Sequence, residues 1–195
     1  MSENSEYEIW VGDDGEEGYI LDRTMGVEGE MAEAGLVEIA RIDRTFNVAR
    51  FLSGAQEAFT MIVEAFADGD RETLRGLLSD SVYGAFERAI TTREQNGEQS
   101  SVEIHAIRKS EIVDAHIDGR VAFITVRFVA DETNILRDKD GKLLSGDPDR
   151  VTETIDIWTF TRDVRSRDPA WLLCETSDED AQEDEQKTVP DHQNL

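Results

Sequence analysis

EIVDAHIDGRVAFITVRFVA, residues 111–130, decides the fold class of this chain. Apolar and polar residues alternate on both sides of Asp118-Gly119, and both halves are rich in β-branched and aromatic residues. Alternation with period two sends every second side chain to one face, as in a strand with one buried side. An Asp-Gly pair between two such runs is a hairpin signal. VEIHAI (102–107), VTETIDIWTF (151–160) and AWLLCET (170–176) read the same way, and 102–107 and 111–117 read as separate strands. A second pair, Asp140-Gly141, joins ILRD to KLLS in a protruding β-arm.

Upstream of residue 100 the period is helical. Met31, Gly35, Ile39, Ile42 and Phe46 fall on one stripe from about Glu30. Asn47 is a good N-cap, with Phe46 before it and Phe51 at the position of a hydrophobic staple. The helix it starts turns Phe51, Ala55, Phe59, Ile62, Val63 and Phe66 inward and should end at Gly69. Asp70 caps a short helix to Leu78, and Ser79 or Ser81 caps another to about Asn96. Helices first and strands afterwards indicate α+β, with helices packed on one face of a twisted antiparallel sheet. Phe59, Ile62, Phe66, Phe86, Val126, Phe128 and Trp158 are the expected core.

With 195 residues, the chain has room for one domain with tails. Its 44 acids against 20 bases give a net charge of −24, which repels phosphate backbones and argues against nucleic-acid binding. The excess sits at the ends. Residues 1–40 hold 12 acids and one base, and residues 175–195 hold 8 acids and one base. Residues 1–29 therefore read as an acidic, disordered arm, 30–176 as the domain, and 177–195 as an acidic, disordered tail. A lone cysteine, Cys174, excludes an intrachain disulfide. No stretch longer than six residues lacks a charged residue, so neither a spanning helix nor a signal peptide is present in the sequence as given. A cytoplasmic or equivalent reducing location is expected.

Catalytic and cofactor signatures are sparse. His105, His116 and His192 are too scattered for a metal site, and no cofactor is expected. Asp138, Asp140 and Gly141 lack the closing Glu of a calcium loop and read as the hairpin turn. There is no phosphate-cradling glycine loop. Cys174, beside Leu172 and Leu173, reads as a buried, inert thiol. Asp156, between Ile155 and Ile157 and near Trp158, could act as a general base if it faced a cavity. The same holds for His116, between Ala115 and Ile117. Solvent exposure on the outer face of the sheet is the simpler expectation for both.

WTFTRDVRSRDPAW (158–171) is more specific. Together with ARFLSGAQEAFTMIVEAFADGD (49–70), LLSDSVYGAFERAI (77–90) and RDKDGKLLSGDPDR (137–150), it resembles the Tim-forty-four-like family. These are alphaproteobacterial relatives of the mitochondrial inner-membrane subunit that tethers the import-motor chaperone to the presequence translocase. The resemblance spans residues 30–176. It implies a cone-like fold similar to nuclear transport factor two, with an apolar pocket lined by Phe59, Phe66, Phe86, Phe128, Trp158 and Phe160. It also implies a non-enzymatic adaptor that binds a protein partner, a chaperone or translocase component, with an acyl-chain-like ligand in or near the pocket. Met31, Ile39, Ile42 and Phe46 would face that partner or the membrane. Bacterial members carry a hydrophobic anchor ahead of the domain, and here an acidic arm stands instead.

Acids on the 30–46 helix work against anionic lipid, so a location peripheral to the inner membrane is expected to come through a partner. The mitochondrial counterpart would be the matrix side. The alternative reading is a small-molecule-binding or isomerase-like enzyme on the same cone, with Asp156 as base. A ribosomal-type scaffold is a third reading, because a mitochondrial large-subunit protein shares this domain. The acidic balance opposes it.

Overall fold

Asn47 starts the longest helix as its sequence requires: its Oδ1 accepts the Arg50 N–H at 2.8 Å. Gly69 ends that helix at φ 73°, a left-handed conformation that favours glycine. The computed structural model describes residues 8–11 and 17–178. In chain order these form β1 (Glu8–Val11), β2 (Glu17–Ile20), β3 (Met25–Glu28), α1 (Glu30–Ile42), α2 (Val48–Asp68), α3 (Arg71–Leu77) and α4 (Asp80–Gln95). Then follow β4 (Gln99–Asp118), β5 (Val121–Arg137), β6 (Leu143–Ser145), β7 (Thr152–Asp163) and β8 (Leu172–Asp178). The class is α+β, as expected. Asp70 caps α3 through the amides of Glu72 and Thr73, and Ser79 occupies the N-cap position of α4.

The sheet runs β1-β2-β3-β4-β5-β7-β8, with β6 bonded to β5 as the β-arm. Several expectations need correcting. Residues 102–107 and 111–117 belong to one strand, Gln99–Asp118, whose pairing with β5 shifts register at three places. Such bulges bend a strand without ending it, and a bulge disturbs the alternation from which strand limits are read. The sheet is also mixed, because β3 pairs parallel to β4 at Ser110–Ile112.

Residues 17–28, expected to belong to a loose arm, form β2 and β3. The reason lies in β4, whose second edge needs partners for its N–H and C=O groups. β3 supplies them and buries Val27 to 3% exposure, and the Ser110 N–H bonds the Thr24 carbonyl at 2.6 Å. Residues 8–11 of the expected arm form β1, and residues 177 and 178, expected to begin the tail, end β8; residues 1–7, 12–16 and 179–195 lie outside the described residues.

Helix α1 packs through Ala32, Gly35, Leu36 and Ile39, so Gly35 and Ile39 of the expected stripe face the sheet while Met31 and Ile42 turn to solvent. Small residues decide this choice. A Cβ at Gly35 would lie 1.7 Å from the Ala115 carbonyl oxygen, so the helix backbone rests directly on β4. Met31 points outward at 83% exposure.

At the centre, Phe59 of α2 stacks on Phe128 at 4.6 Å and meets Trp158 at 4.7 Å. Phe66 and Phe86 pair at 4.8 Å on the margin of this core, packed against it and only partly buried. The Arg93 guanidinium covers Phe66 at 5.3 Å and donates to the Phe66 and Ala67 carbonyls that end α2. Phe59→Ala should cost roughly 3–5 kcal/mol in urea unfolding, as for fully buried aromatics. Phe66→Ala should cost at least about 1 kcal/mol less, because its ring is only partly buried and is covered in part by the flexible Arg93. Equal losses would contradict this division of the core.

Candidate functional site

Side chains on the helix-facing side of β7 run Asp156, Trp158, Phe160, Arg162, since alternate residues share a face. Trp158 and Phe160 are buried in the core. At the Arg162 end the packing opens into a cleft of about 390 Å³. Its apolar walls come from Phe46, Phe51, Ala55, Leu77, Phe160 and Trp171. Trp171 meets Phe51 edge-on at 5.0 Å and Phe46 at 6.1 Å, and Phe46 lies 6.1 Å from Phe51.

One polar contact fixes the mouth. Arg162 Nη1 donates to Asp43 Oδ2 at 2.6 Å, with both side chains only about a tenth exposed. The same guanidinium donates to the Asp168 carbonyl at 3.1 Å and the Ser166 carbonyl at 3.4 Å. Asp43 Oδ1 accepts the Thr45 hydroxyl at 2.6 Å and its amide at 2.9 Å. The α1–α2 corner and the loop before β8 are thus tied through Arg162. Burial alone would raise the Asp43 carboxyl. Hydrogen bonds from the Thr45 hydroxyl, Arg162 and the Thr45 amide outweigh that and hold it below its ordinary value.

Of the six aromatics expected to line a pocket, Phe160 lines the cleft. Phe59, Phe128 and Trp158 are close-packed in the core instead, and Phe66 and Phe86 pair beside the end of α2. The four residues expected to face a partner or membrane do not share a surface. Met31 and Ile42 are exposed at 83% and 46%, Ile39 is fully buried, and Phe46 lines the cleft. Asp43, Arg162 and Trp171 were not picked out from the sequence. The available signal was an arginine continuing an inward-facing aromatic row, which only a buried acid or solvent could accommodate.

Asp156 is half-buried on the helix-facing side, not on the outer face where it was expected. It stands across from Phe128 on β5 and from Asp178 on β8. The nearby Glu132 carboxyl is pushed up by burial and then by the charge of Asp156. Four residues of strand, about 13 Å, separate Asp156 from Phe160, and Asp156 does not line the cleft. His116 is exposed, bonded to Asp114 at 2.9 Å and stacked on Phe123 at 5.0 Å. The Cys174 thiol is pushed up by burial and by Glu175 and donates to the Thr159 carbonyl at 3.3 Å. Asp138 Oδ1 accepts the amides of Asp140 and Lys142 at 2.9 Å each, as a hairpin turn requires. Among the described residues no group of three or more His, Cys, Asp or Glu converges as a metal site.

Fold and site together define an α+β domain whose helices back one side of a mixed sheet, with an apolar, arginine-edged cleft at one end. Residues 32–178 match the Tim44-like domain family model, and the chain belongs to that family. It is similar to the mitochondrial import inner membrane translocase subunit TIM44 of Rattus norvegicus, 27% identical over 151 residues. That match covers 76% of this chain and 33% of the rat protein. The Homo sapiens TIM44 is 26% identical with the same coverage. The probable translocase subunit tin-44 of Caenorhabditis elegans is 26% identical over 76% of this chain and 36% of its own length. The chain therefore spans about a third of these relatives. Among solved structures, the intermembrane space region of chloroplast protein ARC6 aligns with a TM-score of 0.46 at 15% identity, covering 65% of this chain and 95% of that one.

The Asp43–Arg162 pair lies between exposed pairs, worth ~0–1 kcal/mol, and fully buried ones, whose breaking costs ~3–5 kcal/mol. Asp43→Asn should therefore destabilise by about 2 kcal/mol at pH 7. Because the folded carboxyl titrates below its ordinary value, this stability is complete above the unfolded pKa and fades as pH falls through the folded one. The gap between wild type and Asp43→Asn, measured by denaturation, should be constant from pH 7 to 5 and shrink below about pH 4. A gap that grows on acidification would contradict this.

Proposed function

We propose that this domain is a non-catalytic adaptor that docks a protein partner, a chaperone or translocation component, at or near an inner membrane. What carries the reading is the family match over residues 32–178 combined with an open apolar cleft at the end of the sheet. The cleft suits insertion of an apolar side chain, or of an acyl chain, among Phe46, Phe51 and Trp171.

Its chemistry supports binding over catalysis. The carboxylate that lines it, Asp43, is ion-paired and held below its ordinary pKa, which makes it a weak base. The other titratable side chains in the lining are Arg50 and Arg162, and arginine does not give up its proton in proteins. Among the described residues no helix is long and apolar enough to cross a membrane. The exposed face of α1 sets Met31, Val37 and Ile42 among Glu30, Ala34, Glu38 and Arg41, too acidic for strong adsorption to anionic lipid. The face of α1 therefore favours a membrane location reached through the partner, at the cytoplasmic face in a bacterium or the matrix face in a mitochondrion.

A Cβ at Gly54 meets nothing within 4 Å, so Gly54→Trp can place a bulky ring over the cleft without disturbing α2. Affinity capture with the wild-type chain should recover a chaperone or translocase subunit, and Gly54→Trp should lower that recovery about fivefold or more. Recovery unaffected by the substitution would remove the cleft from the reading.

A further inference from the structure

The cleft has a charge opposite to that of its chain. Segments 41–50 and 162–171, which supply the polar side chains of its mouth, hold six arginines against three aspartates in a chain whose net charge is −24, and two of the six, Arg50 and Arg162, line the cleft. All three aspartates are engaged. Asp43 is bonded to Arg162, Asp163 to Arg120 at 2.9 Å, and Asp168 to the Ala170 amide at 2.9 Å. The other five arginines, Arg41, Arg44, Arg50, Arg165 and Arg167, are exposed, and no acid pairs with any of them among the described residues. Arg50 lines the cleft, and Arg44 stands between the lining residues Asp43 and Thr45. Arg165 and Arg167 flank Ser166, whose carbonyl Arg162 holds.

Resting on the reading of the cleft as a partner site, we infer that its occupant is an acidic peptide segment of the partner, anchored by a bulky apolar side chain. The anchor sits among Phe46, Phe51 and Trp171, and the flanking carboxylates meet the arginine rim. Guanidinium groups suit this role, because they pair with carboxylates through two parallel hydrogen bonds and stay charged. Exposed ion pairs contribute little each, so the apolar anchor supplies affinity while the rim selects the sign of the partner. The chain's many remote acids do not cancel the rim. At physiological salt their field is screened beyond about 8 Å, which leaves the local arginines dominant at the mouth.

The test uses the full chain and three labelled synthetic peptides, read by fluorescence anisotropy at physiological salt. One is rich in Asp and Glu around a Phe-Leu pair. A second replaces the acids with Lys and Arg, and a third keeps the acids but replaces Phe-Leu with Ser-Ser. The first should bind and alter Trp171 fluorescence. The second and third should bind at least about tenfold more weakly. The double substitution Arg50→Glu, Arg167→Glu should cost the first peptide about tenfold, and Arg88→Glu on α4 should cost nothing. Both sites are exposed, and unchanged thermal unfolding will show that the fold is kept.

Equal or tighter binding of the basic peptide overturns the inference, as does indifference to the double substitution. Preference for phosphatidylglycerol vesicles over the first peptide would make the rim a membrane contact and overturn it as well. If the peptide binds only after residues 179–195 are deleted, the occupant is this chain's own acidic tail and the inference falls. Failure here combined with a strong effect of Gly54→Trp on partner capture would leave the adaptor reading standing and remove only the acidic occupant.

Discussion

The contact of Phe59 with Phe128 and Trp158, at 4.6 and 4.7 Å, sets the position of everything else. It joins α2 to the neighbouring strands β5 and β7, and all three side chains are 5% exposed or less. A strand has two faces, so seating Trp158 inward commits the whole even-numbered row of β7. Phe160 follows it into the core, and Arg162 arrives at the edge with nowhere to go but the α1–α2 corner. A slip of one residue would bring Ile157, Thr159 and Thr161 inward and leave the corner without its cation. The aromatic contact is therefore also what creates the polar clamp.

The approach of α1 follows a different rule. α2 reaches the sheet through large rings, whereas α1 reaches it by lacking a side chain at Gly35, where the backbones nearly touch. Close-packed interiors tolerate few voids, so a helix set this low needs its neighbours filled by Leu36 and Ile39. The corner after α1 is short, and Asp43 is placed by its own turn, accepting both groups of Thr45. Arg162 then meets an acid that is already oriented, which limits the entropy lost on pairing.

Much of the fold was legible because the signals were local. Asn47, Gly69, Asp70 and the two Asp-Gly turns act within a few residues of themselves, and each does in the structure what its chemistry allows. Features that depend on distant segments were not legible. β3 has four residues, a glycine among them, and becomes a strand because an edge of β4, over eighty residues on, needs partners. The cleft is assembled from residues 119 positions apart. The sequence marks the large aromatics for a pocket, yet large rings are what fill a core, and the cleft is left to the rings at its margin. Phe46 shows the same effect. As a staple residue it was readable, but its role in the cleft needed Trp171, brought back by the last strand.

An apolar cleft of this size persists only if its walls are prevented from collapsing onto each other. Two kinds of contact hold these walls apart. Edge-on packing of Trp171 against Phe51 keeps the rings at an angle, so that neither lies flat across the opening. Arg162 anchors two carbonyls of the loop before β8 and ties that loop to Asp43 at a set distance. A hydrophobic replacement of the pair could be as stable, since desolvation consumes most of the Coulombic gain of a buried ion pair. Apolar side chains in its place would lack the direction of a guanidinium that bonds three groups at once, and the loop could settle onto Phe46. The ion pair is better understood as holding a shape than as adding stability, and that shape is the open cleft.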